Sequence, residues 1–261
     1  MLDDLITVLR DFLRQYTNVA VAFSGGVDST VLLHNCCQVF PPENILALHA
    51  SSCLHSAMAA ATTKNVVAAH FASSCNFVEI QCEPIGWPDF VVNDINRCYF
   101  CKKRTFLLFE DEMRKIGVEV LLDGTNVNDL QEYRPGMKAA RELGVVSPFL
   151  EVGIGKNDIR EYARRELLIN HDLPSNSCLA TRIPTGNVIT IVQLSVIEKA
   201  EEFLTTQGFR GVRVRPFQGS VHIELLDEDL SKILDPVCRK NVAQYFQEQG
   251  LGIPFICLLG R

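Results

Sequence analysis

The chain has 261 residues, 47% of them apolar or aromatic, and a formal net charge of -6. That length supports one large domain, or a large and a small one, with ample material for a core. The acidic balance argues against broad, unspecific binding to nucleic acid, and no apolar run approaches the ~20 residues of a membrane span.

The N-terminal "MLDDLITVLRDFLRQY" places Leu2, Leu5, Ile6, Leu9, Phe12 and Leu13 on one helical face. Its acidic residues and polar back contradict a signal peptide, so the cytoplasm is the expected location. From residue 18 to about 168 the pattern alternates strand and helix. Strands are expected at Val19 to Phe23, Ile45 to His49, Phe77 to Gln81, Val118 to Leu122 and Val145 to Phe149. A helix is expected from Val27 to Cys37. This alternation implies an α/β fold, a parallel sheet with helices on both faces, whose ligands collect at the carboxyl ends of the strands. Near "LPSNSCLATRIPTGN" the prolines, glycine and small polar residues break the alternation. The expected division is a domain over 1–180 and a small α+β domain over 185–261. The latter has a helix from Val192 to Gln207, strands "VRVRPF" and "VHIELL", a helix from Pro236 to Gln247 and an apolar run from Ile253 to Leu259.

The first motif is "VAFSGGVDST", an apolar strand that turns through Gly25 and Gly26 into a helix. Glycines there permit a turn whose backbone N–H groups point outward at a helix start, which is an anion site. The spacing G-x-x-x-x-G-K-[ST] occurs nowhere, and "GIGKND" has the wrong spacing, which weakens a kinase-like or GTPase-like reading. Two further segments, "HASS" with Ser51 and "DGTN" with Asp123, Gly124 and Asn126, lie at strand ends beside this loop, and Asp129 and Arg134 follow in "VNDLQEYRPG".

Ten cysteines in a chain without a secretion signal suggest thiols, metal ligands or reactive groups instead of a disulfide framework. Cys36, Cys37, Cys75, Cys82, Cys238 and Cys257 sit in or beside apolar runs and are expected to be core residues. Cys98 and Cys101, in "NRCYFCKK", are spaced for one turn to present both thiolates to one metal, with Lys102, Lys103 and Arg104 favouring thiolate. Cys178 lies in the boundary loop ahead of Arg182, a cation able to stabilise a thiolate or an acyl oxygen. Three thiolates can hold an iron-sulfur cluster with one iron open. A zinc deaminase is excluded by order, since His222 and Glu224 come long after the cysteines. Arg213 and Arg215 share one strand face, suited to a phosphate clamp or to a plain wet face.

The glycine loop matches S-G-G-x-D-S and resembles the PP-loop ATP pyrophosphatase superfamily. That resemblance implies cleavage of ATP to AMP and pyrophosphate, with Ser24, Gly25, Gly26, Ser29 and Thr30 on the phosphates and Asp28 linked to Mg2+. The set "AFSGGVDST", "NRCYFCK", "DGTNVNDLQEYRPGMKAA", "SPFLEVGIGKNDIR", "SCLATRIPTG", "GFRGVRVR" and "VHIEL" is similar in order and spacing to the ATP-dependent sacrificial sulfur transferase (LarE) family, over nearly the whole chain. The resemblance implies thiolation of the carboxylates of a pyridinium dicarboxylate mononucleotide, the nickel-pincer precursor. It adds Ser51 and Gly124 to the ATP site and makes Arg134, Arg182, Glu201, Arg213 and Arg215 the substrate set. It also implies a homo-oligomer and leaves room for a sulfur-donor protein. One branch of the family sacrifices the sulfur of a lone cysteine. Another uses a [4Fe-4S] cluster, and with Cys98, Cys101 and Cys178 this chain resembles that branch. Two departures stand out: His222 replaces an arginine common before the second strand's I-E, and "FICLLGR" stops where the family continues. A PP-loop tRNA thiolase, or a non-catalytic nucleotide- or metal-binding module, are the alternatives.

Overall fold

The computed structural model describes residues 2–131, 134–175 and 177–258, which form two compact units. The first comprises Met1–Ser52, Ala57–Pro84 and Asn96–Leu173. Its centre is a four-stranded, wholly parallel sheet of β1 (Val19–Ala22), β2 (Ile45–Ser51), β3 (Asn76–Gln81) and β4 (Leu121–Leu122), in the order β3-β2-β1-β4. Around it run α1 (Leu2–Leu13), α2 (Val27–Cys37), α3 (Ala57–His70), α5 (Arg97–Ile116), α6 (Pro135–Glu142), α7 (Pro148–Val152) and α8 (Lys156–Arg165), while α4 (Pro88–Val91) belongs to the other unit.

Alternation along β1 explains the layering. Val19 and Val21 join a core with Leu9 and Leu13 of α1, Leu32 and Leu33 of α2, and Ile159 and Tyr162 of α8. Ala20 faces the opposite core, where Phe106, Phe109 and Met113 of α5 and Ala140 of α6 pack. Successive strand side chains point to opposite faces, and the small alanine leaves room for the phenylalanines. The expected parallel sheet between two helical layers is therefore present.

The strand expected at Val145 to Phe149 is not. Only Val146 makes a bridge, to Leu122, and Pro148 then opens α7. Proline lacks the ladder donor and its fixed φ suits the first helical position, so the apolar run turns helical. The strand expected from Val118 likewise shrinks to two residues.

The second unit comprises Cys53–Ser56, Ile85–Ile95 and the chain from Pro174. Its mixed sheet runs β5-β6-β7, with β5 (Arg213–Phe217) antiparallel to β6 (Ser220–Glu224) and β6 parallel to β7 (Ile253–Ile256). Ala200 and Leu204 of α9 (Ile191–Thr206) and Val242 and Phe246 of α10 (Pro236–Glu248) close its core against Val214, Val221 and Ile223. Leu259, the end of the expected apolar run, lies outside the described residues. Buried Asn93 donates to the carbonyls of Pro184 and Asn187, each at 2.8 Å, and accepts from the Gly186 N–H on its own carbonyl, which anchors the Ile85–Ile95 segment to the boundary loop.

Among the described residues no helix is long and apolar enough to cross a membrane.

Three helices of the first unit meet at one hydroxyl. The fully buried Tyr162 accepts from Arg10 at 3.0 Å, meets His34 Nδ1 at 3.1 Å and donates to Asn35 Oδ1 at 3.3 Å, joining α8 to α1 and α2. Tyr162→Phe leaves these partners short of a bond in a dry setting and is expected to lower the unfolding free energy by about 1–3 kcal/mol, read as a shift of the urea midpoint at unchanged slope.

Candidate functional site

The glycine loop sits at the carboxyl end of β1. The Phe23 N–H still pairs with Leu48, and the chain then turns through Gly25 at φ +76°. A Cβ at Gly25 would lie 2.3 Å from Thr63 Oγ1 and 3.0 Å from its Cα, so both torsion and space demand glycine there. From below, the buried Asn170 amide donates to the Gly25 carbonyl and to Thr30 Oγ1, each at 2.9 Å. Ser29 and Thr30 direct their hydroxyls to the Gly26 carbonyl, at 3.0 and 2.9 Å. Thr30 is wholly buried and shapes the loop, whereas Ser24 and Gly26 form its exposed rim. Gly26 is the N-cap of α2 and offers no capping side chain, so that helix start is built from backbone.

The facing wall comes from the segment after β4. Gly124 approaches so closely that a Cβ would stand 3.1 Å from Asp28 C and Ser29 N. Asn126 donates to Asp28 Oδ2 at 3.1 Å. Asp129, buried, accepts from the Asn126 N–H at 3.1 Å and pairs with Arg134 at 3.0 Å and Lys156 at 3.4 Å. Burial, and then the like charge of Asp129, push the Asp28 carboxyl above its usual range against the pull of Lys156 and Arg160. Two carboxylates held together this way suit a divalent cation, which would relieve their repulsion. Asp123 accepts from Ser147 Oγ at 2.7 Å and Thr125 Oγ1 at 2.9 Å and mainly holds its turn. Ser51 ends β2, where its carbonyl accepts from the Cys82 N–H at 2.8 Å.

Cys98 and Cys101 occupy the first turns of α5, both half-buried, with Arg97 donating to Cys98 Sγ at 3.7 Å. Lys102 leaves the same turn to reach Asp123 at 3.6 Å, linking the cysteine helix to the loop wall. Among the described residues all ten cysteines are free thiols, and no group of three or more His, Cys, Asp or Glu residues is arranged to hold a metal ion. Three of the others are held as neutral thiols by burial. Burial pushes the Cys37 thiol up to about 12 and Cys75 up to about 11, and that of Cys36 well above the ordinary range. Those three are inert core thiols at neutral pH. Thiolates are the donor type of an iron-sulfur cluster; Cys98 and Cys101 belong to the first unit and Cys178 to the second.

In the second unit Cys178 is the N-cap of a short turn over Leu179–Arg182. Arg182 is 2% exposed and forms a bidentate pair with Glu201, at 2.8 and 3.0 Å. It also donates to the carbonyls of Ser177 at 2.8 Å and Cys178 at 3.2 Å. Arg182 thus grips the backbone that carries Cys178. Glu201 accepts in addition from the Val214 N–H at 2.9 Å, and Arg215 pairs with Glu224 at 2.5 Å and donates to the Thr181 carbonyl. Of the five residues assigned to substrate, Arg182, Glu201 and Arg215 converge on this turn, Arg213 lies two positions along the same strand face, and Arg134 belongs to the first unit.

No known protein-family profile matches the chain. Full-length relatives are found nonetheless. Uncharacterised proteins of Synechocystis sp. and Methanocaldococcus jannaschii are each 32% identical, over 96% and 95% of this chain and 92% and 93% of their own lengths. The pyridinium-3,5-bisthiocarboxylic acid mononucleotide synthase of Lactiplantibacillus plantarum is 30% identical over 97% of this chain and 88% of its own length. The chain belongs to the LarE family.

Four residues of this LarE-family site carried no motif role in the sequence. Lys156 and Arg160 are four apart on α8 and both act on Asp28, a same-face pair that helical spacing could have revealed. Lys102 was legible only as positive charge near a cysteine. Asn170 gave no signal, since its role depends on a contact 145 residues away.

Because the folded state raises the Asp28 pKa, ionised Asp28 costs stability at neutral pH, and that cost disappears once the pH falls below the carboxyl's ordinary, unfolded value. Asp28→Asn is therefore expected to melt no lower than the parent at pH 7, with any advantage closing as the pH falls toward 3.8. Thermal melts across that range decide it; a large loss of stability at pH 7 would make Asp28 a residue of the fold instead of the site.

Proposed function

We propose that the chain is an ATP-dependent sulfur transferase that converts carboxylates of a pyridinium mononucleotide into thiocarboxylates. The observation that carries this reading is the full-length likeness to a synthase named for a pyridinium bisthiocarboxylic acid mononucleotide. The glycine loop and its acidic wall support it, because they offer backbone donors for phosphates and a carboxylate pair for Mg2+.

A carboxylate is a poor electrophile. In the proposed reaction a substrate carboxylate oxygen attacks the α-phosphorus of ATP, and the bond to the β-phosphate oxygen breaks to release pyrophosphate. The resulting acyl adenylate has a good leaving group, and sulfur then displaces AMP at the carbonyl carbon. Gly25 and Gly26 would hold the phosphate chain, Asp28 and Asp129 would hold the metal, and Lys156 and Arg160 would offset the charge that gathers on the phosphates. Arg213 contacts the substrate's own phosphate. A [4Fe-4S] cluster on Cys98, Cys101 and Cys178 would supply activated sulfide when bound. Arg182 positions the Cys178 backbone for that duty.

Three outcomes are expected. ATP turnover with the dicarboxylate substrate yields AMP and pyrophosphate on product chromatography, and ADP with inorganic phosphate as main products would reject the reading. Arg213→Ala raises the substrate KM about tenfold to a hundredfold, the loss of a charge-assisted contact of about 1.5–3 kcal/mol, with ATP binding unchanged. For the sulfur source, Cys98→Ser, Cys101→Ser and Cys178→Ser are each expected to lower iron content and sulfur transfer together, with the protein mass unaltered after turnover. Dehydroalanine at position 178 in an active, iron-free protein would assign the sulfur to the cysteine itself.

A further inference from the structure

The first unit carries an open pocket of about 570 Å3 between the first turn of α5 and the helix α6. That is within the size range of small-molecule sites. Its walls combine two chemistries. Tyr99 and Phe100, packed edge to face with ring centroids 5.3 Å apart, and the thioether of Met137 supply an apolar surface. Arg134, Lys138 and Arg141 supply three positive charges, and among the described residues no carboxylate lines the pocket. Nearby acids offset these charges only in part. Asp129 holds Arg134 at 3.0 Å, and Glu142 accepts from the Tyr99 hydroxyl at 2.6 Å, pairs with Lys103 at 3.1 Å and stands 3.9 Å from Lys138. Arg141, exposed, makes no ion pair among the described residues.

The pocket adjoins the cysteine turn. Tyr99 and Phe100 lie between Cys98 and Cys101 in the chain, and the backbone of α6 comes so near that a Cβ at Gly136 would stand 3.5 Å from Lys102 Cβ and 3.7 Å from the Cys98 carbonyl. A bare inorganic anion would leave the apolar walls wet, and an uncharged ring would leave the cations unused. A ring bearing carboxylates satisfies both, packing against one aromatic face while its charges meet Lys138 and Arg141.

We propose that this pocket binds the carboxylated ring of a heteroaromatic anion of the pyridine-carboxylate class. Identifying that ring as the reacting end of the substrate rests on the sulfur-transfer reading; the preference for a ring-bearing anion does not.

The test is calorimetric titration of the full chain with pyridine-3,5-dicarboxylate, with pyridine as an uncharged ring and inorganic phosphate as an anion without one. The dicarboxylate is expected to bind in the micromolar to millimolar range usual for so small a ligand, with neither control displacing it at equal concentration. Both cations are exposed, so Lys138→Ala and Arg141→Ala should leave the melting temperature in place while each weakens the dicarboxylate at least tenfold. No binding by the parent chain, equal binding by the Lys138→Ala/Arg141→Ala double variant, or displacement by phosphate alone would overturn the proposal. Sulfur incorporation is scored separately. Ring binding that follows this pattern in a protein forming no thiocarboxylate upholds the pocket and defeats the sulfur-transfer reading. Thiocarboxylate formed by a double variant that still binds the ring normally defeats the pocket alone.

Discussion

The site depends first on the backbone at Gly25. Its positive φ aims the loop outward, and that torsion survives because Thr63 closes on one side while Asn170 holds its carbonyl from beneath. Any side chain there must push α3 away from the sheet. The same buried amide also fixes Thr30, so the first turn of α2 and the loop ahead of it move as one piece. Preorganised N–H groups at a helix start bind phosphate without an ordering cost at the moment of binding.

A second constraint is electrostatic. Asp28 and Asp129 are kept near one another although burial and like charge oppose it, and Lys156, Arg160 and Arg134 restrain the repulsion without removing it. An arrangement that raises a carboxyl pKa at a strand end is poor for stability and suited to a cation carrying phosphates. Lys102 reaches Asp123 from the cysteine helix, so the loop's facing wall and the Cys98–Cys101 turn are linked within the first unit. In the second unit the charge pattern is of another kind. Arg182 and Glu201 neutralise each other in a dry, bidentate pair whose remaining donors hold the Cys178 turn. That pair shapes the turn, which sequence alone did not show.

The sequence determined much of this protein. Period-two alternation in "VAVA", the glycine turn and the amphipathic helices specify a parallel sheet between two helical layers with its site at the carboxyl ends, because those signals are local to a few residues. Motif order along nearly the whole chain also pointed to the LarE family, and a full-length relative bears that out. What only the tertiary structure decided concerns partners far apart in the chain. Val145 to Phe149 reads as a strand by composition, yet beyond its bridge at Val146 the helix opened by Pro148 ends the pairing. Arg182 and Arg215 read as free cations, yet Glu201 and Glu224 hold them. Asn170 reads as nothing, yet it anchors the loop. A side chain's chemistry is written in its own position, but whether that chemistry is open to a ligand or already satisfied depends on which distant group the fold sets against it.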